Sequence, residues 1–316
     1  MSKNKGLDHG YLYTKDNDRN IFRSEYTKSG INVGGTPFIS INGVDYSVGS
    51  GGRNIQNDKC NSEMNFVTTL TNLSMCGEDN YNLVVGLPID QYKAQCEKFK
   101  EIILSYNDYN VVYRGKQMNF VINDVYVLPQ GIGALLSMKT IPDGNVIIFD
   151  WGGMTIDIAY IEFIYGNPKL IKSITWSEGI QKIYGKLIGK VNEKYDLTLN
   201  IDEAENILVH GLFIDGTEVS LDFLEETISE YVAPIVRDFK LNFPAVTTQT
   251  YMTGGTSAIK LIHCEFIKHF MSAKIIDNSQ FANAIGYGNV AEQKFGNMNK
   301  PVYMSNPTNN SICRKG

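Results

Sequence analysis

The feature that most restricts the fold is the stretch VIIFDWGGMTIDIAYIE, Val146 to Glu162. Four apolar residues lead into an acid, two glycines follow Trp151, and after Thr155 and Asp157 the apolar alternation resumes. Apolar runs on both sides of a Gly-Gly break read as a β-hairpin whose tight turn is Trp151-Gly152-Gly153-Met154. Glycines there allow positive φ and let backbone N–H groups come close to a ligand, which suits phosphate oxygens. Asp150 at the strand's end would then lie beside phosphate, and a cation must sit between the two charges. Magnesium is usually held by one or two carboxylates, several waters and the phosphates themselves. A plain hairpin with a Gly-Gly turn is the alternative.

Three more stretches carry similar grammar. LDHGYLYTK, Leu7 to Lys15, has an acid (Asp8), a glycine two residues on (Gly10), a short turn, then Thr14 and Lys15. An acid for magnesium, a glycine for close approach and a lysine to neutralise phosphate are the parts of a nucleotide hairpin. YMTGGTSAI, Tyr251 to Ile259, is a strand ending in Gly254-Gly255 before a helix. Paired glycines let backbone lie against a flat base or sugar, and a helix N-terminus offers unpaired donors. In VLPQGIGALLS, Gln130 stands at a strand-helix junction where a neutral amide could orient a water for attack on phosphate. Each stretch taken singly has an ordinary structural reading: a turn, a solvated lysine, a loop glutamine.

At 316 residues with 43% apolar side chains, the chain can bury two cores of ordinary domain size. Its first third reads as a meander of short strands, including Pro37 to Ile41 and Val44 to Val48. A strand at Asn82 to Gly86 and a helix over Ile89 to Leu104 then give an α/β signature. A hairpin turning at Arg114-Gly115 and a strand passing through Pro129 and Gly131 into a helix come next. LIKSITWS reads as a strand, Ile180 to about Tyr195 as a helix, and Gly211 as the end of another. Pro234 marks a kink or restart in a later helix, and the residues after Glu292 are expected to be poorly ordered. No tandem repeat of about 20 to 50 residues is apparent.

A formal net charge of −5 with dispersed lysines and arginines gives no footprint for direct nucleic-acid binding. The five cysteines, Cys60, Cys76, Cys96, Cys264 and Cys313, lack C-x-x-C spacing and read as reduced thiols. The histidines lack zinc-site spacing. MSKNKGLDHG has no apolar signal segment and no run approaches the ~20 residues that span a bilayer, so a cytoplasmic protein is expected.

Taken in order, the Asp8 hairpin, the Gln130 junction, the Asp150 hairpin and the Gly254-Gly255 turn resemble the actin-type ATPases, a clan that includes actin, the heat-shock chaperone ATPases and the sugar kinases. Within it, VVGLP before a helix, VLPQGIGAL, FDWGGMTIDIAYI and QFANAIGYGN resemble the plasmid-segregation actins of the ParM type. The resemblance implies an α/β fold of two RNase H-like lobes with a nucleotide cleft between them. Lobe I would span 1–158 plus about 286–316, and lobe II 159–285. It implies ATP, with GTP the alternative, and Mg2+. Asp8 and Asp150 would hold the metal through water, Gly10, Thr14 and Lys15 would contact phosphate, and Gly152, Gly153 and Thr155 would wrap its other side. Asp157 would order the loop or reach a metal-bound water, Gly179 would approach the nucleotide, and Gly254, Gly255 and Thr256 would face adenosine. Gln130, Asp150 and Asp8 form the implied catalytic set, with Gln130 placing the water.

The implied function is a head-to-tail filament that hydrolyses ATP after assembly and segregates plasmid DNA through an adaptor bound at a centromere-like site. Direct contact with nucleic acid or membrane is not expected. VGSGGRNIQND and YNDYNVVY are candidate filament contacts. One departure stands out: SKNKGLDHG offers only Leu7 where relatives carry an apolar strand, so the first strand is expected to be very short. A small-molecule kinase of the same clan would need a second acid to deprotonate an acceptor hydroxyl, and none is identifiable by spacing. A non-hydrolysing scaffold tethered to membrane is disfavoured because NNSICRKG lacks an amphipathic face.

Overall fold

The computed structural model describes residues 2–28, 35–51, 58–140 and 143–296. Residues 52–57 of the VGSGGRNIQND loop, and the tail from 297 onward, lie outside the described residues.

The chain opens with β1 (Lys3–His9), β2 (Tyr13–Asp16), β3 (Ile21–Arg23), β4 (Tyr26–Lys28), β5 (Phe38–Ile41) and β6 (Val44–Val48). Next come α1 (Glu63–Cys76), β7 (Asn80–Leu87), α2 (Ile89–Leu104), β8 (Val111–Tyr113), β9 (Lys116–Met118), β10 (Val121–Pro129) and α3 (Ile132–Leu136). The second half runs β11 (Gly144–Trp151), β12 (Ile156–Ile164), β13 (Asn167–Trp176), α4 (Gln181–Tyr195), α5 (Ala204–His210), β14 (Leu212–Ile214), β15 (Thr217–Val219) and α6 (Leu224–Asn242). It ends with β16 (Gln249–Thr253), α7 (Lys260–His269), β17 (Lys274–Ile275) and α8 (Ala282–Phe295).

Two compact units result: Met1–Asp143 with Ile164–Pro168 and Phe281–Gly316, and Gly144–Phe163 with Lys169–Gln280. The β11–β12 hairpin goes with the second unit because β11 is bonded in parallel to β16, which differs from a boundary drawn after residue 158. Each unit is built on a five-stranded sheet of the same topology. The first has the order β10-β7-β1-β2-β3 and the second β17-β16-β11-β12-β13. In both, the opening strand is central, paired antiparallel to its successor and parallel to a later strand. Asp8 and Asp150 occupy equivalent places near the carboxyl end of that strand, where parallel α/β sheets present their ligand sites. The first unit adds a second sheet, β4-β6-β5-β8-β9, and the second unit a small β14-β15 pair.

β1 is a full seven-residue strand, not a very short one, and its chemistry explains the difference. Lys5 is fully buried yet bonds Asp16 at 2.7 Å and Asp18 at 2.9 Å. Asn4 accepts from Asn82 at 3.0 Å and donates to Glu292 at 3.1 Å. Polar side chains that are paired can occupy a buried strand without the penalty of an orphaned charge. Gly6 is required by close approach: a Cβ there would stand 2.2 Å from Gly288 N and 2.4 Å from Ala284 O, so α8 packs directly on β1.

Helix α1 interrupts the expected meander. Ser62 caps it by accepting from Asn65 N, and Gly77 ends it in a left-handed conformation. Its sequence hides an amphipathic period because Asn65, Thr68, Thr69, Thr71 and Asn72 are all buried. The threonine hydroxyls bond back to Met64, Asn65 and Val67 carbonyls and need no water. α6 runs unbroken through Pro234, at the loss of one intrahelical bond. The second unit's core is aromatic: Phe149 meets Phe239 and Phe266 edge-on at 5.3 and 5.2 Å.

Candidate functional site

In the first unit the β1–β2 register sets Asp8 opposite Lys15 and His9 opposite Thr14. Asp8, 3% exposed, accepts from Lys15 Nζ at 2.9 Å and from Gln130 Nε2 at 3.3 Å. A carboxylate only accepts, so the amide NH2 of Gln130 faces it and the amide oxygen is left to accept elsewhere. Gln130 is held in turn. Its N–H donates to Leu87 O at 2.7 Å, and Asn283 of α8 accepts from the N–H groups of Gly131 and Ala134 at 3.0 Å each, capping α3. The structure thus brings Asp8, Lys15 and Gln130 together, with both Lys15 and Gln130 bonded to the Asp8 carboxylate. Thr14 engages Ser24 at 3.0 Å, and Ser24 donates to Gly10 O at 2.7 Å, so Thr14 donates inward and closes the hairpin. Gly10 packs tightly, with a Cβ there falling 2.6 Å from Tyr13 O.

Lys59, only 3% exposed, donates to His9 O and lies 4.0 Å from the centroid of the Tyr11 ring. His9 Nε2 bonds Thr69 Oγ1 at 2.8 Å, and Thr69 already donates to Asn65 O at 2.6 Å, so the imidazole is the donor. Burial above all, then Lys59, push the His9 pKa down to about 3 against the opposing pull of Asp8. The ring is neutral at ordinary pH.

In the second unit the turn comprises residues 152–155, with Trp151 paired to Ile156. Neither Gly152 nor Gly153 has positive φ, so the expected use of that freedom is corrected. Instead the glycines lie against the segment that begins α4. The N–H groups of Ile180, Gln181 and Gly179 donate to the carbonyls of Gly152, Gly153 and Met154 at 3.2, 3.0 and 3.1 Å. A Cβ on Gly179 would fall 2.4 Å from Gly153 O, so only glycine admits this contact. In a trans peptide the N–H points opposite to the carbonyl of the same unit. With carbonyls 152, 153 and 154 all turned toward α4, the N–H groups of Gly153, Met154 and Thr155 all point away from it, and none of the three donates to an acceptor among the described residues. Successive N–H groups aimed the same way form an anion cradle.

Around this cradle Asp150 is 8% exposed and pairs in register with Asp157 on β12 and Thr253 on β16. Asp157 accepts from Thr155 Oγ1 at 3.1 Å and Thr175 Oγ1 at 2.6 Å, which fits a loop-ordering role. Gly254 has φ +88, and a Cβ there would stand 2.3 Å from Trp151 O and 2.7 Å from Asp150 Oδ1. Thr256 donates to Gly152 O at 3.0 Å, while Gly255 lies near Gln280. The expected residues of this unit thus come together. Tyr231, Thr175, Lys59 and Asn283 were missed by sequence reading; a lone side chain that braces a loop from a distant part of the chain leaves no local motif. The donor set fits a phosphate bearing a hard cation. Among the described residues no cluster of three or more metal-ligating side chains occurs, and magnesium held largely by water and phosphate requires none.

Residues 6–133 match the family model for the N-terminal domain of actin-like proteins. That segment is actin-like in sequence, and the chain is actin-like in fold. The fold extends over nearly all of it. Ta0583, an archaeal actin homologue in complex with ADP, superposes with a TM-score of 0.78 at 22% identity, covering 93% of this chain and 100% of the other. A subunit of a 15-stranded ParM filament from Clostridium botulinum gives 0.75 at 20% identity, over 93% and 100% of the two chains. ParM of Bacillus thuringiensis with ATP gives 0.69 at 13% identity, over 94% and 100%. No curated protein sequence matches the actin-like chain. Among the described residues, no helix of this actin-like chain is long and apolar enough to cross a membrane.

Proposed function

We propose that this actin-like chain is a cytoplasmic ATPase that assembles head to tail into filaments with magnesium-ATP, hydrolyses the nucleotide after assembly, and segregates plasmid DNA through a DNA-binding adaptor. The observation that carries the nucleotide reading is the row of three outward N–H groups at Gly153, Met154 and Thr155, without an acceptor among the described residues, in the turn that follows the buried Asp150. Likeness in fold to a ParM filament subunit and to actin homologues holding ADP or ATP supports the rest. Magnesium-ATP supplies the transferable phosphoryl group and a metal that neutralises its oxygens.

The chain's own residues do the remainder. The 153–155 N–H groups would take phosphate oxygens, Asp8 and Asp150 would hold the metal through water, and Lys15 would balance charge beside Asp8. Gln130, with its NH2 fixed on Asp8, offers its oxygen to a water proton and so aims the water. Gly254, Gly255 and Thr256 bound the adenosine side. A subunit contact that does not close on itself yields a filament, and nucleotide state biases its stability.

Right-angle light scattering of purified protein after addition of magnesium-ATP or magnesium-GTP, with phosphate release followed in parallel, tests this. A nucleotide-dependent rise followed by phosphate release, both lost in Asp150→Ala, is expected. No assembly at any accessible concentration overturns the filament reading, and steady phosphate release without assembly points to a soluble ATPase or an acceptor-dependent kinase.

A further inference from the structure

Two loops of the second unit meet at one phenol. Trp151, fully buried, donates its Nε1–H to Tyr231 Oη at 2.9 Å, and Tyr231 Oη donates to Glu178 O at 2.5 Å. The directions are forced: an indole N–H only donates, a carbonyl only accepts, and a phenol can do one of each. Burial pushes the Tyr231 phenol well above its ordinary range, so its proton stays in place. Trp151 is the residue at which β11 enters the glycine turn. Glu178 immediately precedes Gly179, the first of three residues whose N–H groups turn the loop's carbonyls toward α4. Tyr231, from α6, therefore ties the root of the cradle to the segment that orients it.

We propose that Tyr231 is a positioning residue for the phosphate cradle: its hydroxyl clamps Trp151 to Glu178 so that the N–H groups of 153–155 are aimed before any ligand arrives. This rests on the reading of 152–155 as a phosphate loop. Tyr231 touches no ligand itself. Its loss should loosen binding of phosphate-bearing nucleotides and leave the nucleoside contribution intact, because an adenosine without phosphate makes no use of the cradle.

Tyr231→Phe keeps the ring and removes only the oxygen. The ring borders a groove of about 540 Å³ lined by α4, α6 and residues 175–178, and the substitution keeps its packing against Trp151 at 5.7 Å. Two measurements on the full chain decide the matter. Without nucleotide, amide hydrogen exchange at Gly179, Ile180 and Gln181 should accelerate about tenfold in the variant, while exchange in β16 and α7 is unchanged. By calorimetry, Kd for ATP and ADP should rise about tenfold, with adenosine within about twofold of wild type. Trp151→Phe removes the partner at the other end, and the double variant should lose no more than the worse single one. Unchanged exchange at 179–181, equal weakening of adenosine and ATP, or additive losses would overturn the clamp. If wild type binds no ATP, the nucleotide reading fails, and exchange at 179–181 still judges the clamp.

Discussion

Lys5→Met should cost the fold about 3 kcal/mol, and the figure follows from what the ammonium leaves behind. Lys5 and Asp16 are both fully buried, 2.7 Å apart, and Asp18 completes the cluster from a partly exposed position. Breaking a buried pair by removing one partner typically costs about 3–5 kcal/mol, because the surviving charge is uncompensated. Here Asp16 retains three neutral donors, Asn20 N at 3.0 Å, Asn20 Nδ2 at 2.8 Å and Asn72 Nδ2 at 2.9 Å, which places the loss at the low end. Asp18 adds little, since it is 42% exposed and water can replace its partner. Urea unfolding of wild type, Lys5→Met, Asp16→Asn and the double variant measures the coupling, expected to exceed about 2 kcal/mol. A single-variant loss below about 1 kcal/mol, or simple additivity, would refute the reasoning. The pH dependence has a definite sign. Burial is the largest influence on Lys5 and opposes its charge, but the bonds to Asp16, Cys76 and Asp18 together outweigh it and raise the pKa. The stabilisation is therefore fully present below the unfolded value near 10.5 and lost only as pH rises through the higher folded value, so the gap between wild type and Lys5→Met should stay constant from neutral pH to about pH 10 and narrow above it.

Three further outcomes are expected. His9 refuses a proton until about pH 3 that the unfolded chain takes up near 6.5, so stability falls as pH drops through that window, and His9→Gln should flatten part of that slope in urea titrations at several pH values. Gly254→Ala meets both a left-handed backbone and the Trp151 carbonyl, and should abolish ATP binding while lowering stability by about 1–3 kcal/mol, read by calorimetry and melting. Gln130→Ala should slow phosphate release about tenfold to a hundredfold with nucleotide affinity within a few-fold of wild type; equal release rates would remove Gln130 from water placement.

Much of the site was legible because its residues announce themselves locally. Asp150 and its glycines interrupt an apolar alternation, and Gly254-Gly255 ends a strand, so composition at a short range sufficed. The duplicated sheet topology was not legible as a repeat, since SKNKGLDHG and NVIIFDWG fill the same structural role with opposite chemistry. A strand is usually recognised by apolar side chains, and β1 is instead built from Lys5, Asn4 and Gly6, whose partners lie in β2, β7, α8 and the Asp18 turn. Helix α1 was hidden for a related reason: its buried threonines satisfy themselves against their own backbone, which no periodicity in hydropathy records. Tyr231 reads in sequence as one more buried aromatic on α6, and only its two bonds distinguish it.

The two candidate hairpins are consequently fixed by different forces. The first is held by charge: Lys5 on Asp16, Lys15 on Asp8, and Lys59 on the His9 carbonyl. The second is held by backbone bonds from residues 179–181 and by one neutral phenol. Each hold can be removed by one substitution, which should separate the two. At neutral pH Lys5→Met should accelerate amide exchange in β2 and leave exchange at 179–181 unchanged, whereas Tyr231→Phe should do the reverse. Loosening of both segments by either variant would mean that they share a single cooperative unit and that charge does not hold the first hairpin by itself.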